Sequence, residues 1–204
     1  MNRKADRKRT TRENSRRRRN PRFDSLPLLL VACGADRTEK QYLAALHSRY
    51  ARKAARVDFL TDGVDPLTLV RKTARMTELH PRDFDEVWCV VDVDEFDLDS
   101  ALRLARQHGI NVVVSNRCFE YWLILHFENC ESAFPTAADV ERRLRRHVPH
   151  YDKTNVRFCD FEHGVGNAVE RAKRRCAFGE EHRHNPSSGM WRLVEAVLPD
   201  DRAR

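Results

Sequence analysis

Four short apolar runs, separated by stretches of helical spacing, confine the first half of this chain to an α/β fold. The runs cover 27–33, 55–61, 87–91 and 110–114. They are too short for ordinary helices, and three are apolar almost throughout, which suits strands covered on both faces. Between them, 38–51, 67–79 and 100–108 read as helices. Asp36 or Thr38 can cap the first, His80-Pro81 stops the second and Gly109 the third. Strand–helix–strand repetition predicts a mostly parallel four-stranded sheet flanked by helices. Its strands then end on one edge, where ligands bind in such sheets.

The third run closes on Asp92-Val93-Asp94-Glu95. Alternation along a strand sends Asp92 and Asp94 to one side and Val93 to the other. Acids held this close repel unless a cation lies between them. Mg²⁺ takes a few carboxylates together with substrate phosphates. An exposed acidic turn leading into a helix gives the same pattern, so both readings stand. Other polar groups converge on that edge if the sheet is parallel: Gly34, Asp36, Thr38 and Glu39 after the first run, then Ser115, Asn116, Arg117 and Glu120 after the fourth. Tyr151, Lys153 and the segment 185–188 join from the second half. Glu120 lies in the apolar stretch 118–127, where a carboxylate is costly unless paired or metal-bound. Arg117 or a helix dipole is the alternative partner. His126 reads as a core histidine, and Lys153 as a phosphate contact or a solvated loop charge.

After Ser115 the pattern turns helical, over 118–127, 137–147, 167–177 and 189–198, with a polar loop at 179–188. The expected division is a disordered basic arm at 1–24, an α/β core at 25–116 and an α-helical extension at 117–204. Residues 1–22 hold eleven Lys or Arg against two acids, a net of +9, so the rest carries −2 of the total +7. Such an arm cannot build a core. Its densest point, Arg16, Arg17, Arg18 and Arg19, suits a nucleic-acid backbone. A solubility tail or an acidic protein partner is the other reading. Six scattered cysteines with no CxxC pair fit free thiols in a reducing cytoplasm. No apolar run reaches membrane-spanning length, so no membrane association is expected. The chain has no GxxxxGK[ST], GxGxxG or GxSxG motif, which disfavours P-loop, dinucleotide and α/β-hydrolase chemistry.

Several segments together resemble one family. They are Cys33 followed by Thr38-Glu39, Gly63-Val64-Asp65-Pro66-Leu67, and the stretch 84–95 with its Asp-Val-Asp. Asn116-Arg117-Cys118-Phe119-Glu120, Tyr151-Asp152-Lys153 and Asn185-Pro186-Ser187-Ser188 complete the set. The pattern resembles the RloB family, bacterial proteins of phage defence and abortive infection often encoded beside an ATPase, RloA. The resemblance implies a Toprim-like fold and a nuclease cutting phosphodiester bonds in RNA, tRNA among it, or in DNA. It implies Mg²⁺ or Mn²⁺ held by Asp92, Asp94 and Glu95, with catalytic roles for Asp92, Asp94, Glu39 and Glu120. Nucleic acid would be met by Arg16, Arg17, Arg18, Arg19, Arg117 and Lys153. An RloA-like ATPase and further copies of the chain are the protein partners it suggests. The chain departs from the family at two points. Gly34 stands where Cys-Glu-Gly is usual after the first strand, and Arg117 stands where proline is usual. With that glutamate missing, a degenerate module that binds nucleic acid or the ATPase without cutting is the alternative.

Overall fold

The computed structural model of the chain describes residues 27–34, 37–51, 56–61, 64–81, 83–93 and 98–198. The basic arm with Arg16, Arg17, Arg18 and Arg19, and the acids Asp36, Asp94 and Glu95, lie outside the described residues. Five strands form one sheet: β1 (Leu28–Cys33), β2 (Arg56–Thr61), β3 (Glu86–Asp92), β4 (Asn111–Asn116) and β5 (Ser187–Ser188), in the order β2-β1-β3-β4-β5. The first four are mutually parallel and β5 runs antiparallel to β4. The four-stranded expectation is therefore one strand short. The fifth lies in the stretch read as a polar loop, because a two-residue strand carries no periodicity to detect.

The strands alternate between two cores. Leu29, Val31, Cys33, Trp88, Val90 and Val113 face the larger one, while Ala32, Cys89, Val91, Val112 and Val114 face the smaller. Two helices cover the smaller core: α2 (Pro66–Leu79) and α3 (Leu98–Gln107). Asp65 caps α2 by accepting from Thr68 N–H (3.0 Å), and Pro66 occupies its first turn, where no backbone donor is missed. The larger core packs α1 (Thr38–Leu46), which continues as a π-helical turn over His47–Ala51. With it pack α4 (Glu120–Ile124), α5 (Ala137–Leu144), α6 (Val165–Arg175) and α7 (Met190–Val197). The helical second half thus forms a layer on one sheet face.

Several boundaries shift from those expected. Thr38 does not cap α1: Arg37 is its N-cap, without a side-chain bond, and Thr38 opens the helix itself. The segment 118–127 holds a five-residue helix followed by tight turns, with Tyr121, Trp122, Leu123 and Ile124 all buried. β4 runs on to Asn116, so Ser115 and Asn116 belong to the strand. The peptide bonds Asn116–Arg117 and Asn185–Pro186 are cis. Among the described residues no helix is long and apolar enough to cross a membrane.

Candidate active site

Parallel pairing places Cys33 opposite Val90, so β1 and β3 end side by side. The chain leaves β1 into α1 next to the point where β3 ends in Asp92. Glu39 from the first turn of α1, Asp92, Glu120 from the start of α4 and Lys153 from the loop after α5 line a cleft of ≈ 370 Å³. Cys118 and, from α5, Glu141 line it too. Four segments far apart in sequence thus bring three expected acids and one expected cation together at the carboxyl edge of the sheet.

Glu39 is the most unusual of these groups. It is 2% exposed, and its Oε2 has no hydrogen-bond partner among the described residues. Burial pushes its carboxyl up to about 7, and the negative charge of Glu120 acts in the same direction. The folded state therefore holds a proton on Glu39 that the unfolded chain has released between pH 4.5 and about 7. The sign follows: stability falls as pH rises through that window and stays lower above it, by roughly 3 kcal/mol for a shift of this size. Glu39→Gln is expected to remove the loss. Urea unfolding at pH 8 should show the variant more stable than the parent by up to about 3 kcal/mol, with the difference shrinking towards pH 4.5. Parallel pH profiles for the two proteins would refute the buried, uncompensated carboxylate.

The other groups are fixed by neighbours. Tyr151 donates its hydroxyl to Glu120 Oε1 (3.1 Å). Burial first, and then Glu120, push the tyrosine phenol up, so it remains a neutral donor. The Cys118 thiol is likewise pushed up by burial, with Glu120 and Asp92 adding to it, which disqualifies it as a thiolate nucleophile. Lys153 is exposed, and its loop is clamped to α1. The Thr38 hydroxyl donates to the Lys153 carbonyl (2.9 Å). Gln41 bridges the next turn, donating to Thr154 O (2.9 Å) and accepting from Val156 N–H (2.7 Å).

Gly34 faces away from this cleft. A Cβ built there would lie 3.4 Å from Val90 O and 3.8 Å from Leu69 Cδ2 of α2. Position 34 continues the alternation after Cys33, so its side chain would start on the α2 face, while Asp92 sits with Cys118 on the other. The cleft's own acid after β1 is Glu39.

Other expected site residues serve the framework. Arg117 is absent from the cleft lining, and its Nε donates to Phe134 O (3.1 Å). The Ser115 and Ser188 hydroxyls bond to each other (3.0 Å), and Asn116 donates to the carbonyls of Glu181 and His182. Asn185 donates to Phe134 O (2.9 Å) and accepts from its N–H. The 185–188 segment thus closes the sheet. His126 is the core histidine expected: its ring bonds Tyr42 Oη (2.9 Å) and Trp122 O (3.0 Å), and burial pushes it down to about 4. Glu141 is a lining residue that sequence reasoning missed. Its i,i+4 pairing with Arg145 has the pattern of an ordinary solvated helix face.

No group of three or more His, Cys, Asp or Glu side chains among the described residues is placed to hold a metal ion. The carboxylates of Glu39, Asp92 and Glu120 in the cleft still suit a hard divalent cation, and Glu39 Oε2 is a buried oxygen without a hydrogen-bond partner among the described residues. Asp94 and Glu95, which would complete a ligand set with Asp92, are outside the described residues.

The family model described as RloB-like protein matches residues 29–197 of the chain. No curated protein matches it, and no solved structure does.

Proposed function

Because the chain belongs to the RloB-like protein family, we propose that the cleft is the active site of a Mg²⁺-dependent, Toprim-type nuclease of bacterial phage defence. Its substrate would be a phosphodiester bond in RNA or DNA. One observation carries the reading: Glu39, Asp92, Glu120 and Lys153 line a single cleft at the carboxyl edge of a parallel sheet. Asp92 would hold the metal, with Asp94 and Glu95 as further ligands. When bound, a divalent cation supplies water activation and stabilises charge on the phosphoryl oxygens.

The chain's own groups have distinct tasks in this reading. Glu39, poised near neutrality, takes or gives a proton at its carboxyl. Glu120 is oriented by the Tyr151 hydroxyl. Lys153, held at the cleft by the α1 clamp, meets the negative phosphate. Buried Phe119 beside Glu120 limits water in the cleft. An RloA-like ATPase would supply the trigger.

The test is a calorimetric Mg²⁺ titration of the parent and of Asp92→Ala, both checked for a native circular dichroism spectrum. Loss of a direct ligand should weaken binding by at least about tenfold. Superimposable titration curves would remove the metal from Asp92. A second reading rests on Gly34, which stands where the family resemblance leads one to expect a glutamate: the cleft then binds nucleic acid but leaves it intact. Mg²⁺ binding without cleavage of any nucleic acid would select it.

A further inference from the structure

We infer that the groove between α2 and α3 is a second track for the phosphate backbone of nucleic acid, on the sheet face opposite the acidic cleft. The groove encloses ≈ 630 Å³. Arg71 and Arg75 line it from α2, and Arg103 from α3; all three are exposed. Arg71 and Arg75 are one turn apart, about 6 Å along the helix axis. Neither has a hydrogen bond or ion pair among the described residues. Among the described residues Arg103 reaches only Ser100 Oγ of its own helix (2.8 Å). The single acid in the lining, Glu78, is engaged by His108 Nδ1 (3.3 Å) at the far end of both helices.

Three guanidiniums in one groove, with one engaged carboxylate among them, leave an excess of positive charge without a counter-charge among the described residues. Arginine's planar fork suits phosphate oxygens, and two walls of guanidiniums suit an extended polyanion better than a single anion. Both helices start near the carboxyl edge of the sheet, because α2 follows β2 and α3 follows the end of β3. The groove therefore descends from the same edge that carries the acidic cleft. A strand crossing that edge meets the cleft on one face and the arginine track on the other. The track rests on the nuclease reading only for the identity of the polyanion.

The test uses the full-length chain in EDTA, so that nothing is cut, with a labelled 20-nucleotide single strand and the matching duplex across a salt series. The triple variant Arg71→Ala/Arg75→Ala/Arg103→Ala should bind more weakly, and its slope of log K against log salt should be shallower by roughly 2 to 3. Arg75→Glu alone should weaken binding in the same direction, which guards against a folding defect in the triple variant. Unchanged affinity and slope would overturn the track. Loss of binding to polyglutamate with nucleic-acid binding intact would overturn it in favour of an acidic protein partner. The two readings fail separately. A parent that binds but never cuts leaves the track standing and removes the nuclease. A parent that cuts, with a triple variant of equal affinity and slope, does the reverse.

Discussion

Asp92→Asn is expected to slow metal-dependent cleavage at least about 100-fold while leaving the fold intact. The substitution keeps the shape of the side chain and removes its charge. Asp92 is the last residue of β3 and only half-buried, so the sheet does not depend on it for packing. Strand pairing at this point is carried by the backbone: Asp92 lies opposite Ser115, and Val93 N–H donates to Ser115 O (2.9 Å). The variant should therefore unfold at the parent's temperature while losing its activity. Full activity in the variant would move the chemistry to another acid.

Trp122→Ala is expected to cost about 3–5 kcal/mol in stability, a large share of what a domain of this size possesses. Trp122 is wholly buried in the larger core, with edge contacts to Tyr42 (6.4 Å between centroids) and His126 (5.3 Å). It sits two residues from Glu120, so α4 fixes that cleft carboxylate by burying its own next four residues. Leu79, at the end of α2, is 71% exposed and is the natural control. Leu79→Ala should change stability by no more than about 0.5 kcal/mol. Urea unfolding of the two variants measures both values. A cost below 1 kcal/mol at Trp122 would contradict the packing of α4 against α1.

The parts of the fold legible in the sequence were those governed by continuous burial. β1, β3 and β4 are covered on both faces, so their apolar runs stand out whatever the neighbouring structure. Asp92 and Glu120 were legible because each is an acid at or in an apolar segment, where only a special environment tolerates a charge, and Glu39 because it follows the first strand at the edge where the strands end. Other features depend on contacts between distant segments, which no local pattern records. β5 is two residues long and exists because Ser187 and Ser188 meet the end of β4. Arg117 looks like a free cation in the sequence and is spent on the Phe134 carbonyl. Glu141 looks solvated until the loop carrying Lys153 folds back onto α1. The side on which position 34 projects required the register of β1 against β3, and that register turns position 34 away from the cleft.

The decisive measurement is cleavage of labelled tRNA, single-stranded DNA and plasmid by the purified protein in Mg²⁺, Mn²⁺ or EDTA, beside Asp92→Asn. The assay is run with and without the RloA-like ATPase. A metal-dependent nuclease cuts at least one substrate, stops in EDTA and is lost in the variant. Cutting that persists in EDTA or in Asp92→Asn, or no cutting under any condition with the ATPase present, contradicts a metal-dependent active site in the cleft.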